Sequence, residues 1–214
     1  MSLLERRRAL MSQSREKYVF VEYIESTGTQ WIDTGFKPNQ DTTIEMDYQL
    51  TTTETGRYLF GTRGNASNNY KLMYYIVINS SNQYAVGHND LLGNVFVQQT
   101  TPNADRHIMH RNKGTIYIDN KIAHGFNAAV TFECVNNLEI FACYSNREGV
   151  NPVKMRLYSF KIFEGGLNGN GGALLMDFIP CYRKADKVAG LYDVVNDVFY
   201  ENGGTGKFLI GGEI

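Results

Sequence analysis

Glu45, Asp47 and Gln49 stand at alternate positions in the run Glu45-Met46-Asp47-Tyr48-Gln49. Alternate residues of a strand share a face, so this spacing brings two carboxylates and an amide together. Paired carboxylates are what glycoside hydrolysis requires: one donates a proton while the other acts as base or nucleophile. Gln49 breaks that pattern, because an amide cannot donate a proton as a carboxylic acid does. The trio is therefore expected to be the solvated polar face of an antiparallel strand, with no catalytic residue assigned. The four histidines give no metal signature. His107 and His110 are three apart and point to opposite faces of a strand, while His88 and His124 stand alone. The acids Asp33, Asp41, Asp90, Asp119 and Asp193 are scattered, with no clustered loop of oxygen ligands. There is no nucleophile elbow and no phosphate-cradling glycine loop in a strand-to-helix context.

The clearest binding signal is compositional. Residues 63–90 concentrate tyrosine and asparagine together with Arg63 and His88. Tyrosine offers a flat apolar face with a polar tip, and asparagine offers both a donor and an acceptor. Sugars need both kinds of contact. A second patch, Tyr144-Ser145-Asn146-Arg147, follows a strand and could border the same face. The expected carbohydrate-contacting residues are Arg63, Asn65, Tyr70, Tyr74, Tyr84, His88, Tyr144, Asn146 and Arg147. The competing reading is ordinary structure, since tyrosine is common in sheets and asparagine in turns.

The elements that must position these residues are strands. Ile44, Met46, Tyr48 and Leu50 alternate with Thr43, Glu45, Asp47 and Gln49, a clean half-buried pattern. Further strands are expected at 57–62, 70–78, 83–88, 94–99, 106–111, 115–119, 138–144, 154–163, 174–179, 197–200 and 207–210. Turn signals such as Asn79-Ser80-Ser81-Asn82 and Asp119-Asn120 separate them. Many short strands without a long helical window predict an antiparallel two-sheet sandwich or jelly roll. The composition agrees, with 14 Tyr, 12 Phe and 21 Gly against 4 Pro. At 214 residues the chain buries enough surface to need no disulfide or metal staple. Cys134, Cys143 and Cys181 sit among apolar neighbours and are expected to be free, buried thiols.

Residues 1–17 differ from the rest. Leu3, Leu4, Leu10 and Met11 fall near helical spacing, interrupted by Arg6, Arg7 and Arg8. This segment is expected to be a basic assembly arm, ordered against another chain, with the sandwich occupying 18–214. A helix so short gains too little alone to offset its nucleation cost. The whole chain carries a net charge of -1, which gives no drive toward nucleic acid or an anionic membrane. No apolar run approaches a membrane span, and no apolar segment follows the arginine cluster as in a secretory signal.

Several segments resemble the concanavalin A-like, laminin-G-like jelly-roll domains of phage and prophage structural proteins. They are the opening run from Glu22 to Phe36, Phe60-Gly61-Thr62-Arg63, and the strand-turn Thr115–Lys121 with Asn120 where glycine is usual. The closing segments Arg156–Phe163, Asp177–Cys181, Gly190–Asp193 and Phe199-Tyr200 carry the likeness furthest. The resemblance implies a non-enzymatic virion protein of tail, baseplate or decoration type. It implies synthesis in the bacterial cytoplasm without a signal peptide. Its expected partners are other virion proteins and itself, as a homo-oligomer with a trimer as the first expectation, together with cell-surface glycan. No cofactor is expected, although calcium supports sugar binding in some relatives. Two alternatives accompany it: a glycoside hydrolase on the same fold, and a purely architectural coat protein. Trp31, Phe60, Ile118, Leu157 and Phe178 are expected to pack between the sheets.

Overall fold

The computed structural model describes residues 14–65, 72–89, 91–97, 101–112, 115–125, 131–166 and 172–214. The assembly-arm residues Leu3 to Met11, and Tyr70, lie outside the described residues. In chain order the strands are β1 (Tyr18–Phe20), β2 (Ile24–Thr27), β3 (Ile32–Asp33), β4 (Thr42–Leu50), β5 (Arg57–Arg63) and β6 (Met73–Ile78). They continue as β7 (Tyr84–Asn89), β8 (Leu91–Val97), β9 (Arg106–Asn112), β10 (Thr115–Ile118), β11 (Lys121–Gly125) and β12 (Glu139–Ile140). The last are β13 (Tyr144–Ser145), β14 (Lys154–Glu164), β15 (Ala173–Arg183), β16 (Ala189–Asp193), β17 (Val198–Glu201) and β18 (Leu209–Ile210).

These strands form two sheets, as the alternating sequence predicts. The larger runs β11-β10-β9-β4-β14-β15-β16-β17, with β1 on β15 and β2 bridging β14 to β18. The smaller runs β3-β12-β5-β6-β7-β8, with β13 laid against β5. Pairing is antiparallel throughout the described strands except between β13 and β5, which run parallel. The architecture is an all-β, two-sheet, jelly-roll-like sandwich.

The core lies between the sheets. Ile44, Met46, Tyr48 and Leu50 of β4 face it, and their neighbours Thr43 and Glu45 pair across to β14 and β9. Phe60, Ile118, Leu157 and Phe178 belong to this core, as the strand patterns predict. Trp31 is buried too, but apart from it, in a cradle formed by Gly149, Gly203 and Gly204. Burying these aliphatic and aromatic groups supplies the main drive to fold.

Two features depart from the sequence reading. The expected strand 138–144 is broken into β12 and β13 at Phe141, whose φ is +71°. A bulky residue adopts that conformation at a cost and holds it only where its surroundings fix it. Phe141 is fully enclosed, its ring lies 5.1 Å from that of Phe208, and its N–H donates to the Leu59 carbonyl at 2.9 Å. The second departure is at the start of the chain. Ser14 is buried and its hydroxyl donates to Tyr192, while the Lys184 N–H donates to the Lys17 carbonyl at 2.8 Å. Ser14 and Arg15 lie against a satellite cluster of Phe20, Ile179, Cys181, Tyr192 and Val194 through Tyr192 and Phe20. The last residues of the segment expected as the arm, Ser14, Arg15 and Lys17, thus contact the sandwich.

Candidate functional site

Five of the expected sugar-contacting residues gather at one rim of the smaller sheet. Arg63 closes β5, and Asn65 follows it. Tyr144 pairs with Thr62 and Ser145 with Arg63, which brings β13 and its loop alongside. Asn136 adds a tie, donating from Nδ2 to the Arg63 carbonyl at 3.0 Å. Tyr144 is half-buried, while Asn146 and Arg147 are exposed at the loop tip. Arg63 donates to the Tyr58 hydroxyl, whose ring meets Tyr75 edge-on at 5.2 Å.

The loop is a compact hairpin. Cys143 and Val150 exchange two backbone bonds at 3.2 and 3.1 Å, and the Ser145 N–H reaches the Arg147 carbonyl at 3.0 Å. Asn146, Gly149 and Asn151 take positive φ, the conformation that glycine and asparagine tolerate best. Gly149 has a second constraint: a Cβ there would lie 2.3 Å from Trp31 Nε1. Only a residue without a side chain lets the hairpin settle on the indole.

Tyr74, Tyr84 and His88 do not join this rim. All three are buried in the sandwich interior. The reason is the face each one occupies. Tyr74 of β6 and Tyr84 of β7 lie on the face turned to the main core and satisfy their hydroxyls there. Tyr48 donates to Tyr84 at 2.7 Å, and Tyr74 donates to the Thr42 carbonyl at 2.9 Å. His88 Nδ1 accepts from Arg111 at 3.1 Å, and burial followed by the Arg111 charge pushes its pKa down to about 3. These residues are corrected from contact residues to core.

Glu45, Asp47 and Gln49 do share the outer face of the larger sheet, as their spacing predicts. Each is already engaged. Glu45 is bound by His110, at 3.4 Å, and by Lys161. The hydrogen bond from His110 leads the causes that hold its pKa at about 2, with Lys161 assisting against desolvation. Asp47 takes a two-pronged contact from Arg106, 2.8 Å for each bond. Gln49 Oε1 accepts from the Tyr158 hydroxyl at 3.0 Å. The trio holds two carboxylates, each engaged by a cationic neighbour, and an amide in the third position. His107 and His110 separate as expected, His107 inward beside Tyr48 and His110 outward to Glu45. Among the described residues, no group of three His, Cys, Asp or Glu side chains is placed to hold a metal ion.

Sequence reasoning missed Glu139. It lies in β12, is 1% exposed, and accepts the Gly149 N–H with both oxygens at 3.1 and 3.0 Å. Burial raises its pKa to about 8 against the Gly149 hydrogen bond, which lowers it, and nearby Asp33 and Glu148 add to the rise. One signal was available: Glu139 is a lone acid inside the apolar run Leu138-Glu139-Ile140-Phe141.

The fold and the rim define the class: a two-sheet antiparallel β-sandwich with a polar, aromatic hairpin at one edge. No protein-family model, curated protein or solved structure matches the chain.

Proposed function

We propose that the chain is a non-enzymatic structural protein of a phage particle whose lectin-like sandwich binds host-surface glycan at the rim of the smaller sheet. The phage assignment rests on the sequence resemblance, and the binding assignment rests on the rim. One observation carries the second: β13 lies parallel on the end of β5, which sets Tyr144 and Ser145 beside Thr62 and Arg63, with Asn65, Asn146 and Arg147 in the segments that follow directly. Such a set supplies an aromatic face, amide donors and acceptors, and fixed positive charge. The hairpin holding it is closed by backbone bonds, so little ordering is left to oppose binding. Glu45 and Asp47 are neutralised by their cationic neighbours, which favours binding without hydrolysis. Residues 1–13 are proposed as the assembly arm, joining the chain to copies of itself, with a trimer as the proposed state, and to other virion proteins.

A glycan array read with the intact protein tests this. The expected result is retention of a restricted set of surface-polysaccharide glycans, with no release of reducing ends. Release of reducing ends would favour the hydrolase. A blank array, with the protein folded, would leave only the architectural coat role.

A further inference from the structure

We infer that Glu139 is a proton-controlled latch that holds the Cys143–Val150 hairpin, and with it Tyr144, Asn146 and Arg147, against the smaller sheet. As regulation of the rim this rests on the binding role proposed above, but the latch itself stands on separate geometry. Glu139 projects from β12, which is clamped between β3 and β5. Its carboxyl reaches out of the sheet to a single group of the hairpin, the Gly149 N–H. Gly149 in turn lies on the indole of Trp31. One carboxyl thus ties the far side of the hairpin to the body.

The surroundings set the sign of the response. Asp33, directly across β3 from Glu139, is acidic, and so is Glu148 on the hairpin itself. Cys143 also feels Glu139, and burial and that acid both raise its thiol pKa well above the usual value, with Arg63 opposing them. Gly61, the β5 partner, contributes no side chain. The charged groups that act on Glu139 are therefore both negative. A neutral carboxyl still offers its carbonyl oxygen to Gly149, at no cost in buried charge. An ionised one places a buried negative charge beside the half-buried Asp33 and the exposed Glu148.

The closed hairpin keeps a proton that a solvated glutamate releases near its ordinary value of 4.5. Raising the pH from there toward about 8 therefore progressively favours the open hairpin over the closed one. β12 is fixed on both edges, so the hairpin is the part that yields. Opening removes Gly149 from Trp31 and disperses the rim.

Trp31 is the single tryptophan of the chain, which makes it a reporter of this contact. The test is acrylamide quenching of its fluorescence from pH 6 to 9.5, without glycan, in the full chain and in Glu139→Gln. The wild type is expected to become severalfold more quenchable, centred near pH 8. Glu139→Gln keeps an acceptor for Gly149 without the charge, and is expected to stay protected throughout. A flat wild-type profile, or a rise that persists in Glu139→Gln, overturns the latch. Glu148→Gln changes an exposed position and serves if Glu139→Gln fails to fold. It should weaken the rise, and an unchanged rise would also overturn the proposal. Because no glycan is present, the result is independent of whether the rim binds sugar.

Discussion

Arg111 is the largest side chain fully enclosed by the sandwich. No acid neutralises it among the described residues. Its guanidinium instead donates to the carbonyls of Tyr75 and Gly87 at 3.1 and 2.8 Å, and to His88. It also lies 3.4 Å from the centre of the Tyr74 ring. Ring face, two carbonyls and a neutral imidazole together replace a counter-ion. Arg111→Ala is expected to cost about 3–5 kcal/mol, from the cavity and from carbonyls left without donors. Arg111→Met restores most of the volume, so less than half that loss is expected in urea denaturation. Equal losses would show that packing hardly matters here. Glu45 gives a pH signature of opposite sign to Glu139. Its folded pKa is held below the ordinary 4.5, at about 2, so its contribution is complete above 4.5 and is lost as pH falls toward 2. Glu45→Gln should flatten the acid limb of the stability curve between those values. An unchanged limb would mean that other carboxylates carry it. Arg111 was not legible as a special residue, and Glu139 only as a lone acid in an apolar run, because burial of a charged group depends on which strands cover it.

At the scale of elements, period-two alternation found most of the long strands. β4, β9 and β14 match their expected spans within a residue or two. The strands it missed are short or irregular. β16 reads Ala189-Gly190-Leu191-Tyr192-Asp193, with no polar–apolar alternation, and is buried from Gly190 to Asp193. β11 was concealed by its hairpin. Asp119 and Asn120 both take positive φ, at +51° and +62°, which gives the tight turn that suits twisted strands. Asp119 also accepts the Ile108 N–H at 3.0 Å and holds His107 at 2.7 Å. Asn120→Val places a β-branched residue in a left-handed conformation, and should cost about 1–2 kcal/mol by thermal or urea unfolding. No loss would show that the turn relaxes freely. Phe178 pairs with Phe160 across β14 and β15 and contacts Tyr200 edge-on at 5.2 Å. Phe178→Ala is expected to cost about 3–5 kcal/mol. A loss below about 1 kcal/mol would contradict its place in the packed core.

At the scale of the whole molecule, the sandwich, the free thiols and half of the rim were legible. Cys134, Cys143 and Cys181 are free and buried, as their apolar neighbours implied. The rim was only partly legible because composition does not say which face a tyrosine occupies. Tyr144 and Tyr84 look alike in sequence, yet one borders the hairpin and the other lies in the core. A deletion that tests the proposed arm must stop at residue 13, because Ser14 contacts Tyr192. Removing residues 1–13 is expected to leave the melting temperature unchanged and to abolish self-association. A sharply lower melting temperature with assembly intact would place the arm in the domain. The central claim is that sugar binds at the rim, not on the outer face of the larger sheet. Titration calorimetry with a glycan retained on the array tests it most directly, comparing wild type, Asn146→Gly with Arg147→Ala, and Asp47→Asn. Loss of a charge-assisted bond predicts at least about tenfold weaker binding for the rim pair, with Asp47→Asn within about twofold of wild type. Wild-type affinity in the rim pair, with binding lost in Asp47→Asn, would contradict it.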